Sequence, residues 1–151
     1  MRFFTAAVAL PALLAASAQA FITSLSGVAP ASPAYAATAD STINVTFSTG
    51  STKVPFADLT VTFGLSAAAT HTPATLGVPL ATVDLVATGH SDTAPGNFTL
   101  SIPLTSAELF AGSGAYILTA AIVRATGDPA DSLVRLDTFS IAFNATSDAS
   151  Y

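Results

Sequence analysis

The 151-residue chain has no cysteine and no tryptophan, two histidines, and four basic residues against nine acidic ones. Each scarcity closes off a class of chemistry. Without cysteine there is no disulfide framework, no thiol nucleophile and no zinc–thiolate site. With a formal charge of −5 and no basic patch, the chain lacks the electrostatic footprint of a nucleic-acid binder. An anionic membrane surface is equally unattractive to it. No G-x-S-x-G, H-E-x-x-H, P-loop or G-x-G-x-x-G signature occurs.

The few candidate catalytic side chains are poorly placed for chemistry. His71 and His90 both fall in turn-rich segments. In "GHSD" (Gly89 to Asp92) neighbouring side chains of one turn diverge, whereas a triad needs convergence from separate elements, so the stretch reads as a structural turn. Glu108 has no evident acidic partner across a cleft. Asp128 and Asp131 in "TGDPADS" offer fewer oxygens than a calcium loop gathers, and Asp-Pro is ordinary turn chemistry. The expectation is a protein that is not an enzyme and holds no cofactor or metal.

What is present begins with an address. "MRFFTAAVALPALLAASAQA" combines an early cation at Arg2, an apolar run from Ala6 to Leu14, and small residues at Ala18 and Ala20. That is the layout of a secretory signal peptide, with cleavage expected between Ala20 and Phe21. The apolar run is about half the roughly 20 residues a spanning helix needs. The expected division is therefore residues 1–20 as leader and 21–151 as one domain. A mature chain of 131 residues with a formal charge of −6 follows once Arg2 is removed. A domain of that size buries about two thirds of the surface its unfolded chain exposes, so it can stand without disulfides. The ending "FNATSDASY" lacks the apolar tail of a lipid-anchor signal. A released, extracellular protein is expected.

Apolar residues recur with period two in most of the remainder. "STINVTF" sets Ile43, Val45 and Phe47 against Asn44 and Thr46. "DLTVTFGL" sets Leu59, Val61, Phe63 and Leu65 against Asp58, Thr60 and Thr62. "NFTLSIPL" sets Phe98, Leu100, Ile102 and Leu104 against Asn97, Thr99 and Ser101. These read as half-buried antiparallel strands. "VPLATVDLVA" and "AYILTAAIV" are apolar on both phases and suit central strands. In "DSLVRLDTFSIAF" the apolar phase switches between Leu136 and Phe139, which predicts a bulge near Asp137–Thr138. "FITSLSGV" completes the set as an edge strand. Seven strands separated by Gly- and Pro-rich turns predict an all-β, immunoglobulin-like antiparallel β-sandwich.

"TSAELFAGSGAY" predicts a sandwich corner. Thr105 and Glu108 have capping-box spacing for one helical turn. "GSG" then breaks the turn, and Tyr116 opens the next strand where a tyrosine corner would bond upstream backbone. Three N-glycosylation sequons follow from N-x-[ST]: Asn44, Asn97 and Asn144. Asn44 and Asn97 lie on the polar phase of their strands and Asn144 follows an inward Phe143, so all three are expected to face solvent.

The runs "LTVTFGLSAAATHTPATLGVPLATVDL", "NFTLSIPL" and "GAYILTAAIVRATGDPADSLVRLDTFSIAFN" resemble the necrosis-inducing secreted protein family of fungal effectors, from about Phe21 to Asn144. The most specific parts are "FGL" (Phe63 to Leu65), the "TLG" turn (Thr75 to Gly77) and the "G-x-Y" strand that ends in "GDP". The resemblance implies a secreted, non-enzymatic effector that binds host plant proteins, with receptor-associated immune kinases as expected partners, and that modulates immunity or cell death. It carries over no contact residue. The exposed sheet edges and the loops Ala67–Gly77 and Arg124–Ser132 are the expected contact surfaces. The alternative is a fungal cell-wall or matrix component, for which the missing Trp and inward Phe leave little sugar-stacking surface.

Overall fold

The computed structural model describes residues 19–30, 33–92, 94–127 and 133–148. Among the described residues eight strands run in chain order: β1 (Gln19–Ala29), β2 (Tyr35–Ala37), β3 (Thr42–Thr52), β4 (Phe56–Ala67), β5 (Val78–Asp84), β6 (Gly96–Pro103), β7 (Gly114–Thr126) and β8 (Leu133–Ser147). They form a three-stranded sheet, β1-β3-β6, and a five-stranded sheet, β2-β8-β7-β4-β5. This is a two-sheet sandwich of the immunoglobulin type, as the alternation predicts. The seven expected strands are all present. The eighth, β2, lies in a Pro-rich stretch too short to show a period, and it pairs with β8 in parallel rather than antiparallel fashion.

Period-two alternation turns directly into the core. Ile43, Val45 and Phe47 of β3 and Val61, Phe63 and Leu65 of β4 are fully buried, and Tyr116, Leu118, Ala120 and Ile122 supply the inward face of β7. The rings of Phe47 and Phe63 lie 6.0 Å apart, joining the two sheets across the middle. Phe98, Phe139 and Ile141 are only partly buried and pack against this core from its rim. Leu85 and Leu109, both from connecting segments, complete it at 0% exposure.

Three expectations need correction. β8 pairs with β7 in unbroken register from Leu133 to Ala145, so there is no bulge at Asp137–Thr138 in that pairing. The inward phase of β8 is Asp137, Phe139, Ile141 and Phe143. Val134 and Leu136 are apolar residues of the outer face, 73% and 64% exposed. The phase switch is a change of face, not an inserted residue. A bulge does occur in β4: pairing with β7 skips from Asp58 to Thr60. The extra residue inverts the phase before Val61, so Asp58 turns inward to 1% exposure while Leu59 is only half-buried. Finally, β5 is an edge strand, not a central one.

The connection from β4 to β5 is seated by two glycines. A Cβ on Gly64 would meet the Leu76 carbonyl oxygen at 2.2 Å, and one on Gly77 would meet the Leu65 carbonyl oxygen at 2.3 Å. Gly77 also has φ +86°, a conformation that disfavours any side chain. "FGL" and "TLG" are therefore two halves of one contact, which folds the Thr72–Gly77 turn back over β4.

Candidate functional site

The sequons take their positions from strand register. Asn44, Asn97 and Asn144 are all exposed. Asn44 pairs with Ser101 and Asn97 with Ser48 on the outer face of the three-stranded sheet. Between them Thr46 pairs with Thr99, their hydroxyls 3.0 Å apart, so the hydroxyl residues of two sequons hold each other across neighbouring strands. Asn144 stands on the other sheet, opposite Ala115.

The expected cleavage point falls inside β1. Ala20 is buried and pairs with Ser51, while Phe21 stacks on Phe56 with ring centroids 4.7 Å apart. Residues 1–18 lie outside the described part, as do Asp128, Asp131 and Tyr151.

The corner forms as its sequence predicts. Residues Ser106–Glu108 make one 3-10 turn, and the Glu108 carboxylate accepts from the Thr105 backbone N–H at 2.7 Å and from the Thr105 hydroxyl. These hydrogen bonds, the Thr105 hydroxyl first, hold the Glu108 carboxyl below its ordinary pKa against partial burial. The Tyr116 phenol donates to the Gly112 carbonyl at 2.7 Å and accepts from the Ala111 N–H at 3.1 Å. A second phenol holds the same crossing: Tyr35 donates to the Leu104 carbonyl at 2.5 Å.

The opposite end holds a buried polar cluster that strand reading missed. Arg124 is 3% exposed; its Nε lies 3.0 Å from Asp58 Oδ1, off-line for a hydrogen bond, and its Nη1 lies 3.0 Å from Asp137 Oδ2. Its Nη2 donates to the Ile22 carbonyl at 2.9 Å, while the Ile22 N–H donates to Asp58 Oδ2 at 2.7 Å. The guanidinium carbon also sits 5.3 Å from the Phe21 ring centroid and 5.9 Å from that of Phe56. One cation thus links β1, in one sheet, to β4, β7 and β8 in the other. Burial pushes the Asp58 carboxyl above its ordinary pKa, more than the Ile22 N–H and Arg124 lower it. A signal for this cluster existed. The inward phase Tyr116, Leu118, Ala120, Ile122 ends on Arg124, and that of Phe143, Ile141, Phe139 ends on Asp137.

This cluster floors a groove of about 570 Å³ between β1 and β8, lined by Phe21, Ile22, Thr23 and Leu136 to Phe139. A smaller hollow of about 240 Å³ lies between the Pro73–Leu76 turn and the outer face of β7 and β8. The histidines are elsewhere. His90 stacks on Phe98 at 4.4 Å, and the next residue, Ser91, accepts the Asp58 N–H through its carbonyl at 3.1 Å. The "GHSD" turn therefore has structural work. Arg124 to Thr126 belong to β7, so the expected loop there is shorter than supposed. Among the described residues no group of three or more His, Asp or Glu side chains could hold a metal ion. Among them, too, no helix is long and apolar enough to cross a membrane, which says nothing of strands.

Among curated proteins none matches the chain. The model of the Nis1 family matches residues 18–142, from the start of β1 almost to the end of β8. With its sandwich covered nearly end to end, this chain belongs to the Nis1 family, a fungal effector-type family.

Proposed function

We propose that the protein is a secreted, non-enzymatic effector. Its leader is removed between Ala20 and Phe21, it carries glycans on Asn44, Asn97 and Asn144, and it works by binding a host plant protein to modulate immunity or cell death. The observation that carries this reading is the family match, which spans the folded sandwich rather than a short motif. The fold supports it: a rigid two-sheet scaffold presents the seated Thr72–Gly77 turn and a largely uncharged outer face of β7 and β8, and such surfaces suit recognition. Receptor-associated immune kinases are the partner class to test first.

The matrix-component alternative finds less support. Tyr35 is buried within β2, and Phe110, 50% exposed, is the one large aromatic left open among the described residues. A single ring does not make a row on which a glycan chain stacks. Affinity capture from plant extract with the mature glycoprotein tests the proposal. Recovery of a receptor-associated kinase complex is expected, and its absence beside a working positive control would sink the reading.

A further inference from the structure

We infer that the free edge of β8 is a self-association site, at which a second copy of this chain adds its own β8 antiparallel across a two-fold axis through Leu136. The inference goes beyond the proposed function and needs no plant protein.

An open sheet edge offers unpaired N–H and C=O groups, and proteins normally blunt it with proline, bulges or charge. Three of the long edges in this sandwich are blunted. β1 carries two register shifts, between Ile22 and Ser24 and between Leu25 and Gly27, and the Ile22 backbone is taken up by Asp58 and Arg124. β5 contains Pro79 and a register shift against Phe63 and Gly64. β6 ends in Pro103 and carries the Asn97 sequon near its start. β8 has no Pro and no register shift against β7; its sequon, Asn144, stands at the far end, and its two charges, Arg135 and Asp137, are of opposite sign. β2 covers only Ala145 to Ser147, and among the described residues no strand pairs with the outer edge from Leu133 to Asn144. That stretch contains no Pro or Gly and stays in regular register with β7 throughout. It also exposes Leu133, Val134 and Leu136, three of the seven large apolar residues left open among those described.

Charge selects the occupant. The mature chain carries only three cations, Lys53, Arg124 and Arg135, and two of them lie at this end. Arg135 and Asp137 flank Leu136, on one face of the strand. An antiparallel two-fold through Leu136 sets residue 136 + k of one copy opposite 136 − k of the other. Arg135, whose Nη2 lies 3.4 Å from Asp137 Oδ1 of its own strand, then also faces Asp137 of its mate, twice over, so the two intrachain pairs become one four-membered charge cluster on the face these residues share. Val134 meets Thr138 on the outer face, and Leu136 meets itself. Opposite charges and apolar pairs directly across antiparallel strands stabilise the pairing. A partner of arbitrary sequence would not reproduce this symmetry; a second copy does so by construction, and an isologous contact of this kind closes on a dimer.

The absence of native cysteine gives a clean test. In the mature protein, Leu136→Cys places two thiols across the axis with Cβ atoms about 4.5–5.5 Å apart, close to disulfide reach. Ser140→Cys places its two thiols eight positions apart along the sheet, about 27 Å. Both sites are on the outer face, and circular dichroism checks that each variant folds. Under mild oxidation the Leu136→Cys variant should form covalent dimer at least tenfold faster than the Ser140→Cys variant. Sedimentation equilibrium of the unmodified protein should show the mass rising toward two chains with concentration, and Leu136→Arg, which sets two cations against each other on the axis, should abolish the rise. Equal oxidation rates, a single-chain mass up to millimolar protein, or a dimer indifferent to Leu136→Arg would each overturn the inference. None of these results bears on capture of a plant kinase, so the two proposals fail separately.

Discussion

At the Tyr116 end of the sandwich, neutral phenols and one capped turn hold the crossing between sheets; at the Arg124 end, a guanidinium and two carboxylates do so. Tyr116 bonds a carbonyl four residues upstream while Tyr35 reaches Leu104, 69 residues on, and Phe143 packs between the two rings, 6.4 Å from Tyr35 and 6.3 Å from Tyr116. Arg124 instead reaches Ile22, which is 102 residues away in sequence. The Tyr116 corner is local, and its neutral bond is removable at modest cost. The ionic end buries Arg124 and Asp58 away from water, and its stability depends on both staying in place. A chain without disulfides uses both, so each end can be attacked separately.

The largest effect should come from breaking the ionic end. Arg124→Met keeps much of the stem's volume but leaves Asp58 buried at 1% exposure without its cation. Removing one partner of a buried pair costs about 3–5 kcal/mol. A domain of this kind has only about 5–15 kcal/mol in total, so the variant should lose a large share of its denaturant midpoint. Adding Asp58→Asn removes the stranded charge while an amide oxygen remains to accept the Ile22 N–H. The double variant should therefore be more stable than Arg124→Met alone, a non-additive result that urea melts of all four proteins would reveal. Strict additivity would mean that the two side chains are not coupled as the 3.0 Å separation implies.

The neutral end should respond less. Tyr116→Phe keeps the ring against Phe143 and removes the phenol that serves Gly112 and Ala111. A hydrogen bond of this sort contributes about 0.5–1.5 kcal/mol net. The expected result is a shift of that order, with fold and urea m-value unchanged. A loss as large as that of Arg124→Met would erase the distinction between the two ends.

The same contrast explains how much could be read from the sequence. The neutral end was legible because its parts are contiguous: Thr105, Glu108, the "GSG" break and Tyr116 all fall within twelve residues, and local spacing encodes a local device. The strands were legible because one face of each is buried, which forces period two. The ionic end joins residues 22, 58, 124 and 137; inward phases that end on Arg124 and Asp137 mark two of its members, but no spacing joins them to Asp58 and Ile22. Reading Asp58 as solvent-facing followed the rule that polar phases point outward, and a single bulged residue inverted it. The bulge expected in β8 failed for the converse reason: Val134 and Leu136 are apolar on the outside, where alternation treats every apolar residue as core. β2 was missed because three residues carry no period. Asn44, Asn97 and Asn144 face solvent as the alternation of their strands implies, but the contact between Thr46 and Thr99 depends on the β3–β6 register, which alternation alone does not supply.

Acid separates the two ends by sign, and this is the smallest of the expected effects. Glu108 has a folded pKa lowered by its bonds to Thr105. Its contribution is therefore complete above the unfolded carboxyl value near about 4.3 and is lost as pH falls through the lower folded value. Asp58 runs the other way: with a folded pKa raised by burial, its folded form takes up a proton more readily than the unfolded chain. Its contribution is fully present below the unfolded value and declines as pH rises through the raised one. Moderate acid should consequently loosen the corner before it loosens the cluster. Glu108→Gln isolates the first term, since the amide keeps an acceptor oxygen but cannot titrate. At pH 7 the variant should be less stable by about 0.3–1.5 kcal/mol, the usual scale for one capping interaction. Toward pH 3 the gap should shrink, because the wild-type carboxylate is then losing the charge that holds the Thr105 N–H and hydroxyl. Denaturant midpoints of both proteins from pH 7 to pH 3 measure this directly. A gap that stays constant across that range would show that Glu108 holds the corner by shape rather than by charge, and the two ends would then differ only in how deeply their polar groups are buried.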